Sequence, residues 1–322
     1  MFPMAAKLAS FPSSVKVGGD VTYSGRTLEV APDGAELLYG DAQALFRLRR
    51  GEKVLQKIDT GERHIVSASA LGGGEVAVGL WGVGDEPPRV EVFDANTSLA
   101  TYEVPEAAVL SGCLASRQAE AIVGWGMAST EDRKLQLWWW PLGAPGGPRV
   151  THAIAAEGIV LDAAFVGTKL FVSAGDKLFV ATSSEIAAVK TDGGPTRLAG
   201  ARTGTNLLAR VGRSFVVMTT DGEVVHTLPP VLKLAQLTAD GRRVVGYGES
   251  LDVKTPIEVR ERYPEWARTN FVASFDTATG ERLGWGKVAD SVDALALVDD
   301  ELIVTKSVKR IAFHPWKLAT GQ

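Results

Sequence analysis

Residues 120–141 read "EAIVGWGMASTEDRKLQLWWWP" and end in three consecutive tryptophans, Trp138, Trp139 and Trp140. Successive side chains of a β-strand point to opposite faces of its sheet, so these rings place large apolar groups on both faces. A sheet that is apolar on both faces lies between two other layers. The stretch therefore predicts a strand between neighbouring sheets, with Trp138 and Trp140 facing one neighbour and Trp139 facing the other. A platform for a ligand is the alternative.

Short β-rich runs, punctuated by Gly, Asp and Pro, continue along the whole chain. They group into units of four strands, a to d, and the second strands of units two, three and six end alike in "VGLWG", "VGWG" and "VGYG". Seven units in 322 residues give a spacing of about 46 residues, which suits a propeller blade. The chain is therefore predicted to be an all-β, seven-bladed β-propeller with four-stranded blades. Six or eight blades are the alternatives.

The last unit contains only three strands, whereas the stretch "SSVKVGGDVTYS" is left over before the first unit. We expect this N-terminal stretch to pair with the C-terminal blade as its outer strand and so to close the ring. The predicted organisation is a tail over residues 1–12 and a single propeller domain over 13–322. An insertion loop over 249–270 lies in blade six.

Several local motifs support the alignment of the units. "APDG" and "TADG" occupy the turn between strands a and b in units one and six, and Phe93-Asp94 and Phe275-Asp276 end two third strands. In these features the chain resembles the WD-repeat and related propeller families, whose repeats carry "SPDG" turns and Trp-Asp pairs. His64 lies near the place where those repeats carry Gly-His. The resemblance covers most of the chain and implies a WD-repeat-like fold.

Composition limits the classes of function. A formal net charge of −4 provides no general electrostatic attraction to nucleic acid or to an anionic membrane. No segment has the run of about 20 apolar residues that a membrane helix needs, and the N-terminus lacks the apolar core of a secretory signal. We therefore expect a cytoplasmic protein that binds neither nucleic acid nor membrane. The single cysteine, Cys113, excludes an intrachain disulfide and is expected to be buried and inert.

Motifs for known catalytic chemistry are missing. The four histidines, His64, His152, His226 and His314, are isolated from one another, and no HxH, HExxH or CxxC pair supplies two metal ligands at short spacing. There is no GxSxG nucleophile elbow and no GxxxxGK[ST] phosphate loop. No metal and no cofactor are expected.

The largest departure from the repeat is "LDVKTPIEVRERYPEWART", residues 251–269 in blade six. A connection of this length in a compact domain is usually functional or mobile. Aromatic and arginine side chains are favoured as anchors at protein interfaces, and a short helix that breaks at Pro264 is expected. The candidate partner-binding residues are Arg260, Arg262, Tyr263 and Trp266. The alternative is that the aromatic rings pack against the propeller.

Two further groups of residues are candidates. Trp81 and Trp125 end the second strands of blades two and three, and they are predicted either to line the same face of the disc for a partner or to pack between blades. Asp162 and Asp293 begin the inner strands of blades four and seven, at the mouth of the central channel. They are predicted either to face a ligand there or to bond backbone amides of the adjoining segment.

These observations favour a non-catalytic scaffold for protein partners, a single propeller that acts as a subunit or adaptor of a larger hetero-complex. The alternative is an enzyme, a hydrolase or lyase that acts on a small molecule in the central channel through Asp162, Asp293 and a divalent ion. A third hypothesis is a module that binds sugar or peptide through exposed tryptophans.

Overall fold

The computed structural model describes residues 14–16, 27–40, 42–82, 86–94, 96–288, 291–298, 302–307 and 310–315. They form seven four-stranded antiparallel sheets. The innermost strands of consecutive sheets contact one another, and the innermost strand of the last sheet contacts that of the first, which closes the ring. The predicted seven-bladed β-propeller is confirmed. The predicted tail over residues 1–12 lies outside the described residues.

The strands follow the predicted units. The N-terminal strand is β1 (Ser14–Lys16), and blade one contains β2 (Thr27–Val30), β3 (Glu36–Gly40), β4 (Leu45–Arg49) and β5 (Gln56–Ile58). Blade two contains β6 (His64–Gly72), β7 (Glu75–Trp81), β8 (Arg89–Asp94) and β9 (Thr97–Glu103). Blade three contains β10 (Val109–Ser116), β11 (Ala121–Met127), β12 (Leu135–Pro141) and β13 (Val150–Ile154). Blade four contains β14 (Val160–Val166), β15 (Lys169–Ala174), β16 (Lys177–Ala181) and β17 (Ile186–Val189).

The remaining blades carry the insertion and the closure. Blade five contains β18 (Pro195–Gly200), β19 (Leu207–Val211), β20 (Ser214–Met218) and β21 (Val224–Thr227). Blade six contains β22 (Leu232–Leu237), β23 (Arg243–Gly248), the helix α1 (Ile257–Arg262), a 3₁₀ turn (Pro264–Trp266), β24 (Asn270–Asp276) and β25 (Arg282–Val288). Blade seven contains β26 (Ala294–Val298), β27 (Leu302–Ser307) and β28 (Arg310–Pro315), and β1 pairs with β28 as its fourth strand. The predicted closure by the N-terminal strand is confirmed.

The three tryptophans of β12 are buried between blades, as predicted. Trp138 and Trp140 pack into the apolar cluster shared with blade two, where the ring of Trp140 meets that of Tyr102 edge to face at 6.2 Å. Trp139 packs into the cluster shared with blade four, with its ring 6.2 Å from that of Phe165. Alternation along the strand thus joins three consecutive blades.

The glycines that follow the aromatic residue in the second strands allow close packing. A Cβ atom on Gly126 would lie 1.8 Å from the carbonyl oxygen of Val109 on β10, a backbone atom that cannot move without distorting its strand. We therefore expect Gly126→Ala to lower the free energy of unfolding by about 1–3 kcal/mol or more. A matched control is Gly147→Ala, because no atom lies within 4 Å of the added Cβ there. Urea denaturation midpoints measure both, and an unchanged midpoint for Gly126→Ala would contradict the explanation.

Candidate functional site

The antiparallel order of the strands places equivalent connections on the same side of the disc. The b–c connections within blades and the d–a connections between blades form one side, which we call the insertion face because residues 249–269 belong to it. The a–b and c–d connections form the opposite face. Two regions hold the candidate residues: the insertion face, and the axial channel that the inner strands surround.

The insertion is a folded element anchored at its base. The backbone N–H of Leu251 donates to the carbonyl of Trp266 at 3.2 Å, which ties the two ends together. Asp252 accepts from the N–H groups of Lys254 and Thr255 at 2.9 and 3.0 Å, so the chain turns before α1 begins. The helix ends at Arg262, before Pro264, as expected from the inability of proline to continue a helix.

An aromatic stack holds the insertion on the propeller. The ring of Trp266 lies 4.0 Å from those of Tyr263 and Phe271, nearly parallel to both, and Trp266 is fully buried. The guanidinium of Arg282 lies 5.0 Å from the centre of the Tyr263 ring and pairs with Glu265. These rings join the apolar cluster between blades five and six. Tyr263 and Trp266 are therefore the anchors of the insertion on its own domain.

The outward side of the insertion presents apolar and cationic groups. Val253 is 86% exposed and Ile257 is 54% exposed. The side chains of Arg260 and Arg262 are also exposed, and Nε of Arg260 donates to the carbonyl of Thr255 at 3.1 Å. Of the four insertion residues predicted to contact a partner, the structure thus leaves these two arginines at the surface. Their contact with a partner stays a prediction.

Trp81 and Trp125 occupy different environments. Trp81 is 43% exposed on the insertion face, where its ring stacks on His64 at 5.4 Å and its Nε1–H donates to the carbonyl of Leu110 at 2.7 Å. Trp125 is buried in the cluster between blades three and four, and its ring lies against Gly112. The structure does not bring both rings to one surface; only Trp81 offers an exposed ring.

Side chains of the inner strands bond to the backbone of the next blade along the ring. In blades two and three the bonded residues lie 46 positions apart, one repeat length. The Ser67 hydroxyl accepts from Cys113 N–H at 2.7 Å, the Ser69 hydroxyl accepts from Ala115 N–H at 3.2 Å, and Arg117 donates to the carbonyl of Leu71 at 3.0 Å. Cys113 is buried, as predicted, and burial raises the pKa of its thiol to about 11.

Asp162 belongs to the same kind of link. One carboxylate oxygen accepts from the N–H of Leu198 in blade five and the other from the N–H of Ala163, both at 2.9 Å. Burial raises the pKa of this carboxyl, although those two amides and the charge of Arg197 act in the opposite direction. Asp293 lies directly before β26, at the same end of the channel. Their action on a substrate stays a prediction.

Sequence reasoning missed two ionisable residues at the other end of the channel. Glu29 on β2 is close to the Ser69 hydroxyl and the backbone of Ala70, and burial raises the pKa of its carboxyl to about 7. Arg202 follows β18 in blade five and donates to the carbonyl oxygens of blade-one residues across the axis. Its acceptors are Ala31 at 3.3 Å, Pro32 at 3.0 Å and Val30 at 3.0 Å.

Within the residues that the structure describes, no three His, Cys, Asp or Glu side chains converge on one point. In that part of the chain, none of the helices approaches the length and apolar character needed to cross a bilayer.

Known structures share this fold at low sequence identity. A chain in the crystal structure of the mitotic checkpoint complex has a TM-score of 0.67 and 12% identity, over 98% of each chain. The β-propeller domain of Cps50 (Swd1) from Myceliophteria thermophila has a TM-score of 0.63 and 11% identity, over 92% of this chain and 98% of that chain. No protein-family model and no curated protein sequence matches the chain. The likeness to a WD-repeat-like propeller, predicted from the turns and third strands, is confirmed for the fold.

Proposed function

We propose that the protein is a non-catalytic scaffold that binds a protein partner through its insertion face, as a cytoplasmic subunit or adaptor of a larger hetero-complex. The observation that carries the proposal is the outward side of the insertion, where Val253 and Ile257 are exposed above a fully buried aromatic base. A rigid base lowers the entropy that binding costs, because the contact residues are ordered beforehand.

The distribution of exposed apolar residues supports this face. Ten large hydrophobic residues in the described part of the chain are exposed, and five of them lie on the insertion face. These five are Trp81, Ile159, Leu161, Val253 and Ile257. Exposed apolar groups that gather on one side of a protein mark interaction sites more often than scattered ones do. The similar chain in the mitotic checkpoint complex is itself part of a protein assembly.

Point variants test the proposal better than deletion of residues 251–269, because deletion also removes the buried ring of Trp266. We expect the double variant Val253→Ser, Ile257→Ser to recover its partner at least tenfold less well in an affinity purification from source lysate. Loss of two exposed apolar anchors removes about 1–3 kcal/mol of binding free energy. Unchanged urea midpoints would show that the fold is intact.

The matched control is Val54→Ser, because Val54 is 72% exposed in the c–d connection of blade one, on the opposite face. It should recover the partner as well as the unmodified protein does. If the double variant and the control recover every partner equally, the insertion is not the binding surface. Equal loss in both variants would instead indicate a general effect of the lost apolar area.

A further inference from the structure

Two connected cavities lie inside the ring of inner strands. The first, of about 180 Å³, is lined by Glu29, Arg202 and Gln236 together with aliphatic side chains. The second, of about 150 Å³, is lined by Asp162, Arg197 and again Gln236. Leu28 also borders both cavities, so they form one compartment along the axis. Its lining comes mainly from blades one, five, six and seven.

Arg202 spans the end of this compartment at the opposite face. Its three hydrogen bonds join blade five to blade one, which are not neighbours in the ring. The first cavity lies directly beside this bridge. The second cavity lies toward the insertion face, because Asp162 and Arg197 are near the starts of β14 and β18.

The charges in the compartment are balanced and already engaged. Each cavity contains one acidic and one basic side chain: Glu29 and Arg202 in the first, Asp162 and Arg197 in the second. The Arg202 guanidinium is used by carbonyl groups and the Asp162 carboxylate by backbone amides. A ligand with a net charge would meet a like charge in either cavity without gaining a free counter-charge.

The uncharged polar groups in the compartment remain available. The side-chain amide of Gln236 has no hydrogen-bond partner among the described residues, and it borders both cavities. The inner strands β2, β18, β22 and β26 are terminal strands of their sheets, so the edge that faces the axis carries backbone N–H and C=O groups in alternation. Such a wall calls for a ligand whose groups both donate and accept hydrogen bonds.

We infer that the axial compartment binds a small uncharged polyol, in contact with the Gln236 amide and the inner-strand edges. A hydroxyl group both donates and accepts, which matches the alternating wall. Each cavity is below the roughly 300–1,000 Å³ of sites for drug-sized molecules, so the ligand is of monosaccharide size or smaller. The side chains of Leu28, Leu237 and Leu297 offer apolar surface to its C–H groups.

The test uses the full chain and measures saturable binding by isothermal titration calorimetry and saturation-transfer NMR. The neutral probes are glycerol, myo-inositol and D-glucose; gluconate and glucosamine are their charged counterparts, and glycine is the zwitterion. We expect one neutral probe to bind with one-to-one stoichiometry and at least tenfold more tightly than any charged or zwitterionic probe. If no neutral probe binds saturably, the compartment holds water only and the inference is wrong. A preference for gluconate, glucosamine or glycine would overturn it as well.

Variants locate the site. Gln236→Leu removes the amide at nearly constant size, and we expect it to weaken the bound probe at least tenfold. Gln118→Leu is the control, since Gln118 is exposed in the turn between β10 and β11, and its affinity should be unchanged. If Gln236→Leu fails to fold, Gln236→Glu is expected to show the same loss. Undiminished binding in a folded Gln236 variant would sink the assignment. The result is independent of the proposed function, since the variants leave Val253 and Ile257 in place.

Discussion

Trp266→Ala is expected to lower the free energy of unfolding by about 3–5 kcal/mol, the range for a large aromatic side chain removed from a packed core. Trp266 is fully buried, with parallel rings at 4.0 Å on both sides and the edge of Phe275 at 6.5 Å. Removing the indole leaves a cavity between Tyr263 and Phe271 that the surrounding strands cannot fill. The urea midpoint and hydrogen exchange of residues 251–269 measure the effect, and exchange there should accelerate more than in blade three.

Two variants separate stacking from other contributions. Trp266→Phe keeps an aromatic ring in the stack and removes an Nε1–H that has no acceptor in the described part of the chain. We expect it to cost less than about 2 kcal/mol, less than half of the alanine effect. Trp81→Ala is the exposed control and should cost about 1 kcal/mol, mainly for its bond to the Leu110 carbonyl. If Trp266→Ala matches Trp81→Ala, the stack does not anchor the insertion.

The sequence predicted the architecture well because the propeller leaves a local signal in every blade. Three adjacent tryptophans in β12 require burial on both faces, and the structure distributes them between blades two and four as alternation demands. The closing strand β1 was predictable because blade seven lacked a fourth strand. The helix that ends before Pro264 was predictable from the geometry of proline.

The site was less predictable because its contacts join distant parts of the chain. The choice between interface and packing for Tyr263 and Trp266 depended on Phe271 and Arg282, which approach them only in the folded blade. Glu29 resembles an ordinary polar residue of a β-strand, and Arg202 resembles a solvated turn residue. Ring closure makes Glu29 a buried acid and places Arg202 170 residues away from an acceptor that it reaches directly.

The second large effect concerns the ionisation of Glu29. Burial raises the pKa of its carboxyl from 4.5 to about 7, although the Ala70 amide, the charge of Arg202 and the Ser69 hydroxyl favour the ionised form. The folded protein therefore binds this proton more tightly than the unfolded chain does. Stability that depends on Glu29 is complete below pH 4.5, falls as the pH rises from 4.5 to 7, and is constant above about pH 7. A shift of this size corresponds to a penalty on the order of 2–3 kcal/mol at high pH.

Glu29→Gln removes the ionisable group and keeps the shape of the side chain. We expect the variant to be more stable than the unmodified protein above pH 7, by about 1–3 kcal/mol once the loss of attraction to Arg202 is included. Below pH 4.5 the two proteins should differ little, because a protonated carboxyl and an amide have similar polarity. The measurement is the difference in urea midpoint between the two proteins at a series of pH values, which cancels the titration of shared groups.

The matched control is Glu131→Gln, because Glu131 is exposed in the b–c connection of blade three. Its difference from the unmodified protein should not change over the same pH series. Asp33 lies close enough to Arg202 to respond to its charge, so Arg202→Gln should alter the pH profile of the unmodified protein more than that of the Glu29→Gln variant. A Glu29→Gln difference that is independent of pH would mean that Glu29 is ionised in the folded protein across the whole range. In that case the channel end near Arg202 would be wetter than its packing indicates.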